Sequence, residues 1–325
     1  MIEINRLNAR IYSKLGQSGA SFGVGLLEAL KKNPEIIVLS ADMSTTAGLD
    51  RFKSIHPESF YNVGIAEQNL IGIAAGMSSE GKKVIVTAQA AFVSMRSCEQ
   101  VRQYMGYMHS NIIAVGIGAG FSLTFFGNTH YAIEDISIMR SIPAMTILSP
   151  SDAGQAAKAL VAATELDSPI YIRFTGIMNC PIVYNEDYNF EIGKAIQVKG
   201  GKDITVFATG SMVYNSLKAS DILEQAGIFV RVIDMHTIKP LDTILIKKCS
   251  DSKLFVSVEE HNIIGGLGTA ISEYIASHKD FPTLMRLGIM DSFSKPGDYD
   301  FLLAQNRLQP EQIAEDILMK YKSII

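Results

Sequence analysis

Short apolar runs rich in β-branched residues alternate along this chain with longer amphipathic stretches. In the first half, runs typical of strands fall at 35–42, 83–88, 112–118, 145–150 and 169–174. Stretches with a helical period lie between them, at 21–32, 66–80, 94–108, 135–142 and 152–165. Apolar strands that alternate with helices predict an α/β fold with a doubly wound, mostly parallel sheet and helices on both faces.

The second half repeats the alternation on a smaller scale. Strand-like runs at 203–210, 229–240 and 254–260 are separated by helical stretches at 214–226 and 268–278. Between the halves, residues 179–201 lose the helical period, which predicts a linker that ends in a short strand. Since 325 residues exceed what one core readily supports, we expect two α/β domains, at 1–187 and 188–325.

Composition removes several classes of protein. The formal net charge of -4 gives no basic surface for nucleic acid. No stretch reaches the roughly 18 apolar, uncharged residues of a membrane span. Three cysteines, Cys98, Cys180 and Cys249, form no C-x-x-C pair and suggest neither a disulfide framework nor a zinc site. We therefore expect a soluble, cytoplasmic protein.

One acid stands in the apolar segment NVGIAEQNLIGIAAGM. Glu67 is surrounded in sequence by Val63, Ile65, Ala66 and Leu70. Apolar surroundings disfavour the charged form of a carboxylate, and a carboxylate that readily shares a proton suits general acid–base catalysis. Taken alone, the position is more typical of a first-turn helix acid that satisfies backbone N–H groups.

Two glycines, Gly72 and Gly76, lie four residues apart later in the same segment. Each costs about 1 kcal/mol in a helix relative to alanine. A close approach by another element would offset that cost, either through packing inside the domain or through a contact between subunits.

Other side chains each allow a functional and a structural interpretation. Asp42 ends the first strand, at the edge where open parallel sheets bind ligands, but an Asx turn also favours it. Phe92 could stack on a flat ligand or pack in the core. His130, before an acid-led helix, could touch a substrate or cap structure. Arg96 and Arg102 fit helix-surface or ion-pair positions.

A linear series of motifs joins these residues. In chain order they are SADMSTTAG, NVGIAEQNLIGIAAGMSSEGKKVIV, F-x-x-x-R-x-x-E-Q-V-R (92–102), NTHYAIEDISIMRSIP, ILSPSDA, DMHTIKPLD and VEEHNIIGGLGTAISE. The series resembles the C-terminal half of transketolase, a thiamine diphosphate enzyme, from about residue 18 to the end of the chain. The resemblance implies a pyrimidine-binding domain over 1–187 and a transketolase C-terminal domain over 188–325.

The same resemblance implies a divided enzyme. The family's first domain, which holds the diphosphate with a G-D-G motif, has no counterpart here, and neither a G-x-x-x-x-G-K-[ST] loop nor a strand–G-x-G-x-x-G–helix unit is present. The chain is therefore expected to be the small subunit of a split transketolase that transfers a two-carbon ketol unit from a ketose to an aldose. An N-terminal partner subunit would bind the diphosphate and Mg²⁺ or Ca²⁺, and self-pairing would give an α₂β₂ complex.

Family roles transfer to individual positions. Glu67 matches the glutamate that hydrogen-bonds the aminopyrimidine of thiamine diphosphate, and Phe92 matches the aromatic residue that packs on that ring. His130 matches a histidine that contacts the sugar donor. Asp42 matches the acid of the S-A-D strand end, and the resemblance implies that it contributes to cofactor binding. Gln89 stands where the family usually has a second phenylalanine on the cofactor side.

The sugar end departs from the family. Positions at which relatives grip a substrate phosphate with histidine or arginine hold Gly19, Gly118 and Gly176, which leaves Thr46 as one polar contact. Phe125–Phe126 replace an acid that contacts a substrate hydroxyl. The resemblance therefore leaves open which sugars react, and whether the partner subunit supplies an anion site.

Two other thiamine enzymes share the glutamate and the fold, 1-deoxyxylulose-phosphate synthase and the β subunit of 2-oxo acid dehydrogenases. The string NTHYAIEDISIMR favours transketolase over both. A third alternative is a non-catalytic partner that stabilises a larger subunit, and the presence of Glu67 argues against it.

Overall fold

The first half of the chain builds a sheet from buried strands. In the computed structural model, which describes residues 2–176 and 178–324, these strands are β1 (Ile37–Ser40), β2 (Phe60–Asn62), β3 (Val84–Gln89), β4 (Ile112–Ile117), β5 (Thr146–Leu148) and β6 (Ile170–Phe174). They lie in the order β5-β6-β4-β3-β1-β2 and pair in parallel. All residues of β4 and β6 are buried, because helices cover both faces of the sheet.

The helices of this half divide between the two faces. They are α1 (Arg6–Ala20), α2 (Leu26–Lys32), α3 (Asp50–Ile55), α4 (Glu67–Ser79), α5 (Cys98–Gln100), α6 (Asp135–Ser141) and α7 (Ala153–Thr164). Separate apolar cores lie on the two faces, one under α2 and α7 and the other under α4 and α6. The predicted doubly wound sheet is confirmed.

The second half forms a smaller sheet of its own. Its elements are β7 (Ile196–Lys199), β8 (Ile204–Ala208), α8 (Met212–Gln225), β9 (Val230–Asp234), β10 (Thr237–Lys239), α9 (Thr243–Lys248), β11 (Leu254–Asn262), α10 (Leu267–Ala276), β12 (Leu284–Ile289), α11 (Tyr299–Gln305) and α12 (Pro310–Lys322). The strand order is β12-β11-β8-β9-β7, with only β7 antiparallel to its neighbour. The short strand expected at the end of the linker is β7.

One predicted strand proves to be two that serve different sheets. The run 229–240 gives β9 in the smaller sheet, and then β10 pairs antiparallel with β5 at the edge of the first sheet. The two sheets are thereby joined through one short connection. The last parallel strand of the first sheet ends at Phe174 and the second sheet begins at Ile196, so the proposed boundary at residue 187 falls between them; the boundary itself stays a prediction.

One helix was not predicted, and two predicted helices differ in form. The unpredicted helix, α1, is amphipathic and begins with a capping box between Asn5 and Asn8. The predicted helix at 21–32 is a π-helical segment, Ser21–Gly25, followed by α2. The predicted regular helix at 94–108 is instead a pair of π-helical segments, Phe92–Arg96 and Val101–Tyr107, on either side of α5. Hydrophobic periodicity locates a helical region but does not distinguish its local winding.

Over the residues that the structure describes, the helices are too short or too polar to cross a bilayer.

A buried carboxylate, Asp234, connects the smaller sheet to the first half of the chain through hydrogen bonds. Asp234, at the end of β9, accepts hydrogen bonds at Oδ2 from Ser151 Oγ (3.0 Å), Gln155 Nε2 (2.7 Å) and Tyr184 Oη (2.7 Å). Burial raises the pKa of Asp234 to about 7, although these three donors favour the ionised form.

This raised pKa predicts a pH-dependent difference between the wild type and Asp234→Asn. An unfolded aspartate titrates near 3.9, so between about pH 4 and pH 7 the folded wild type holds a proton that the unfolded chain has released. Wild-type stability should therefore fall as pH rises through this window, by up to about 1.4 kcal/mol per pH unit from this group, and the asparagine variant should lack that component. Urea unfolding of both proteins at pH 4.5, 5.5, 6.5 and 7.5 measures it; a stability difference that stays constant across the series would contradict the assignment.

Candidate active site

The carboxyl ends of the central parallel strands bring the candidate residues to one edge of the first sheet. Gln89 ends β3 and Phe92 follows it, Gly118 follows β4, and Gly176 follows β6. Asp42 and Thr46 lie in the loop after β1. Ligands of open parallel sheets bind at this edge, so residues that are far apart in sequence share one site.

Glu67 is the first residue of α4, and its side chain is only 3% exposed. Its carboxylate Oε2 accepts a hydrogen bond from Arg96 Nη1 at 2.7 Å. The expected ring of apolar neighbours is wrong at one position, because Ile65 is 76% exposed. Glu67 is therefore buried beside a cation, and the helix N-terminus also favours its charge.

Arg96 makes a second contact, with the ring of Phe92. The guanidinium carbon lies 4.2 Å from the ring centroid, which is a cation–π arrangement. The π-helical turn Phe92–Arg96 places both residues on adjacent windings. Of the two roles that the sequence allowed for Arg96, the structure shows the ion pair, and one planar group bridges Glu67 and Phe92.

His130 lies between two aromatic rings. Its ring centroid is 5.2 Å from that of Phe92 and 5.0 Å from that of Phe126. Thr129 Oγ1 is 2.9 Å from His130 Nδ1. The structure thus connects Glu67, Phe92 and His130 through a continuous chain of contacts.

The loop that carries His130 is held by the smaller domain. Glu260 on β11 is buried, and its Oε1 accepts a hydrogen bond from the backbone N–H of Phe121 at 2.6 Å. Its Oε2 accepts from Tyr299 Oη at 2.6 Å and from Ser211 Oγ. Burial raises the pKa of Glu260, whereas these donors favour its ionised form.

A fully buried ion pair supports the other end of the same loop. Arg173 Nε donates to Asp135 Oδ2 at 2.9 Å, and Tyr171 Oη donates to the same oxygen at 2.8 Å. Arg173 Nη2 also reaches the carbonyl oxygens of Ala132 (3.4 Å) and Glu260 (3.2 Å). This pair therefore connects β6, α6, the His130 loop and β11.

A histidine next to this pair is neutral. His261 Nε2 accepts hydrogen bonds from the backbone N–H groups of Ile136 (3.2 Å) and Ser137 (3.4 Å), and Nδ1 lies 2.7 Å from the carbonyl of Asn262. Burial lowers the pKa of His261 to about 4. His261 Nε2 lies 3.9 Å from Asp135 Oδ1, but the two side chains therefore form no ion pair at neutral pH.

Three buried charged residues, Asp135, Arg173 and Glu260, were not predicted from the sequence as part of the site. Each lies in or beside a mostly apolar run, in EDISIM, PIYIRF and LFVSVEE. Such residues are seldom fully buried unless paired, and that rule could have marked them as members of a paired cluster.

The three glycines that depart from the family at the sugar end lie together with the remaining polar residue, Thr46. Gly19, Thr46, Gly118 and Gly176 line one cavity of about 480 Å³, with Ser122 among the other lining residues. It lies at the same sheet edge as Phe92, because β4 and β1 flank β3 in the sheet.

Asp42 and Gln89 differ in whether their side-chain oxygens have a hydrogen-bond partner. Asp42 is exposed, has a positive φ of 58°, and its Oδ1 accepts from Asn62 Nδ2 at 2.9 Å. Gln89 Oε1 is buried and makes no hydrogen bond within the described part of the chain. A buried acceptor without a partner is costly, so the site has one polar position that a ligand could satisfy.

Gly72 and Gly76 on α4 face open space. A Cβ built at either position would have no described heavy atom within 4 Å. The close approach expected at these glycines is therefore not made by a described element of this chain, which leaves a contact between subunits as a proposal.

The residues present fit a planar aminopyrimidine. The guanidinium of Arg96 is itself a planar group that donates N–H to Glu67 while lying on the face of Phe92, and it shows that both contacts can be made at once. Gln89 Oε1 adds an unsatisfied acceptor for an amino group. Those are the interactions by which a flat, N–H-bearing ring is held.

Two α/β domains with a pocket at the carboxyl edge of a parallel sheet match the architecture of chains that combine a pyrimidine-binding domain with a C-terminal domain. The transketolase pyrimidine-binding domain family matches residues 18–178, and the transketolase C-terminal domain family matches residues 193–313. The chain belongs to the transketolase family.

Several relatives are similar over most of this chain. A putative transketolase C-terminal section of Methanocaldococcus jannaschii is 39% identical over 93% of this chain and 95% of its own. A subunit of the apulose-4-phosphate transketolase of Phocaeicola vulgatus is 35% identical over 92% of this chain and 95% of its own. A 1-deoxy-D-xylulose-5-phosphate synthase of Caldanaerobacter subterraneus is 34% identical, over 93% of this chain but 49% of its own.

Among solved structures, a split-gene transketolase described as an inactive β4 tetramer is 34% identical with a TM-score of 0.87. The match covers 94% of this chain and 98% of that one. Resemblance to split transketolase subunits, expected from the motifs, is confirmed.

The loop anchor can be tested at Gly120. This glycine has a φ of +62°, and a Cβ there would overlap the carboxylate of Glu260. Gly227 also has a positive φ, of +78°, but nothing lies within 4 Å of its Cβ position. We expect Gly120→Ala to lower the free energy of unfolding by about 1–3 kcal/mol more than Gly227→Ala, because only the former adds a steric clash. Urea denaturation compares them, and equal losses would show that the contact with Glu260 is unimportant.

Proposed function

We propose that this chain is the small subunit of a thiamine-diphosphate-dependent transketolase that moves a two-carbon ketol unit from a ketose donor to an aldose acceptor. The observation that carries the proposal is the contact chain from buried Glu67 through Arg96 to Phe92 and His130. Side chains from α4, the turn after β3 and the loop before α6 converge there with the chemistry that a pyrimidine and a sugar require. Free cysteines support a cytoplasmic location.

Each site residue has a proposed role. Glu67 accepts a hydrogen bond from the pyrimidine ring and holds the shared proton there, and Phe92 covers one face of the ring. Gln89 accepts from the amino group, and Asp42, which accepts a hydrogen bond from Asn62, is a further cofactor-binding residue at the adjoining strand end. His130 orients the oxygens of the donor sugar, and Thr46 contacts the sugar's far end. Thiamine diphosphate, when bound, supplies the electron sink for the transferred carbanion.

The active unit in this proposal is heteromeric. The diphosphate and a Mg²⁺ or Ca²⁺ ion are held by an N-terminal transketolase subunit, so the cofactor lies between two polypeptides. Two copies of this chain pair with two partners as α₂β₂, and the open face at Gly72 and Gly76 is available for that pairing. A relative named as a subunit, and a neighbour described as an inactive β4 tetramer, support this arrangement.

A second candidate is an acyloin-forming enzyme of the 1-deoxyxylulose-phosphate-synthase type, which the similarity to about half the length of such an enzyme favours. It decarboxylates a 2-oxo acid donor, whereas ketol transfer releases no carbon dioxide. Carbon dioxide release from pyruvate by the assembled complex, without activity on ketoses, would select it. A non-catalytic stabilising role is the weakest alternative, because it does not require a buried carboxylate at the ligand-binding edge of the sheet.

Glu67→Ala tests the assignment in the complex assembled with the N-terminal subunit. We expect kcat for ketol transfer to fall at least about 100-fold, which is the usual scale for the loss of a positioned acid–base group. Glu99→Ala, a change of the same kind at an exposed position, should leave kcat unchanged. Size-exclusion chromatography confirms assembly of each variant. Full activity of the Glu67→Ala complex would refute the role.

A further inference from the structure

The cavity at the sugar end, defined by Gly19, Thr46, Gly118 and Gly176, has no charged side chain among its described lining residues. Its polar groups are hydroxyls, such as those of Ser18, Thr45 and Ser122, and its apolar walls include Leu123. Hydroxyl groups can exchange hydrogen bonds with a sugar, whereas an anion taken into such a site would lose its hydration without gaining a counter-charge from the described residues of this chain.

Neighbouring side chains leave no room for a Cβ at two of the glycines in the cavity wall. A Cβ at Gly118, which has a φ of +74°, would lie 2.6 Å from Leu123 Cγ. A Cβ at Gly176 would lie 2.8 Å from Gln17 Cγ, and Gln17 is fixed by hydrogen bonds to Pro150 O (3.1 Å) and from Thr175 N (3.0 Å). Leu123 and Gln17 thus fill the space that longer side chains at Gly118 and Gly176 would need. The cationic side chains of the family are therefore absent together with the space that they would occupy.

We propose that this cavity binds the uncharged end of a sugar substrate, with hydroxyl groups where phosphorylated sugars carry an anion. The inference rests on the proposed function and names its substrate class. It departs from the relative named for apulose 4-phosphate, so the two substrate types can be compared directly.

The test uses the assembled complex with thiamine diphosphate and Mg²⁺, and two unreactive probes, D-arabinitol and D-arabinitol 5-phosphate. Calorimetry or ligand-observed NMR should show that the phosphate tightens binding by less than threefold. Tenfold or tighter binding of the phosphate form by the wild type, or binding of neither probe, would overturn the proposal.

A variant that restores a cation sharpens the result. Thr46 is exposed at the cavity, so Thr46→Arg adds a guanidinium without a buried clash. It should strengthen binding of the phosphate probe at least tenfold relative to the neutral probe, while Thr283→Arg, at an exposed position on the other domain, should leave the ratio of the two affinities unchanged. If the binding preference holds but no ketose reacts, the proposed function fails and the cavity assignment stands.

A different observation concerns Arg96. Its guanidinium satisfies Glu67 and covers Phe92 at the same time, and these are the two contacts proposed for the pyrimidine. The Arg96 side chain is 46% exposed, so it can swing outward without leaving a buried cavity. We infer that Arg96 occupies the pyrimidine position until the cofactor displaces it, which again rests on the proposed function.

Removal of this competitor should strengthen cofactor binding. In the assembled complex, Arg96→Ala should lower the Kd of thiamine diphosphate, measured by calorimetry with Mg²⁺ present, about tenfold, because an ion pair to the buried Glu67 and a cation–π contact no longer need to be broken. Arg96→Gln, which retains most of the side-chain stem, should change the Kd in the same direction. Arg102→Ala, at an exposed position six residues on, should leave it unchanged.

The opposite result has a clear meaning. Weaker or unchanged cofactor binding by both Arg96 variants would show that the arginine holds Glu67 in place or is indifferent, and would overturn the inference. If neither the wild type nor the variants bind the cofactor, the proposed function and this inference fail together. Binding by the variants alone would support both.

Discussion

The buried ion pair between Asp135 and Arg173 is the interaction on which the site's geometry depends. Neither side chain is exposed, so both have lost their hydration, and their mutual attraction alone does not guarantee a net gain. Tyr171 and the carbonyls of Ala132 and Glu260 supply further hydrogen bonds. The result is a polar joint with fixed geometry at the point where β6, α6 and β11 meet.

That joint decides where the His130 loop lies. The loop from β4 to α6 is fixed near its start by Glu260, which accepts from Phe121 N, and near its end by Arg173, which reaches Ala132 O. His130 lies between these two fixed points and packs against Phe92. The smaller domain therefore contributes to the site without supplying a residue that contacts the proposed ligands, which explains why the two domains form one functional unit in this chain.

Much of this architecture could be predicted from the sequence. A strand such as β4 is a continuous apolar run, and burial on both sides is what such a run requires. Less predictable were features that depend on tertiary contacts: the division of 229–240 between two sheets, and the π-helical winding around α5. Neither changes the hydrophobic period from which helices and strands are inferred.

The site residues also divide into predictable and unpredictable ones. Glu67, Phe92 and His130 could be singled out from motifs, but an arginine 29 residues away from Glu67 gives no local signal of an ion pair. The glycines at the sugar end could be recognised as departures, yet only the positions of Leu123 and Gln17 show that the vacated space is filled.

These two ends of the site place different demands on a ligand. At the proposed pyrimidine end a buried carboxylate is already neutralised by a partly exposed cation, so a cofactor would replace a favourable contact and gain only the difference between the two. At the proposed sugar end no described lining residue is charged. The selectivity that this chain contributes there would come from hydroxyl geometry and shape, which discriminate through unpaired polar groups rather than through net attraction. In this proposal the partner subunit's share of the site limits how tightly the cofactor binds. Selection among sugars would depend as much on the absence of an anionic group as on the hydroxyl groups that the sugar carries.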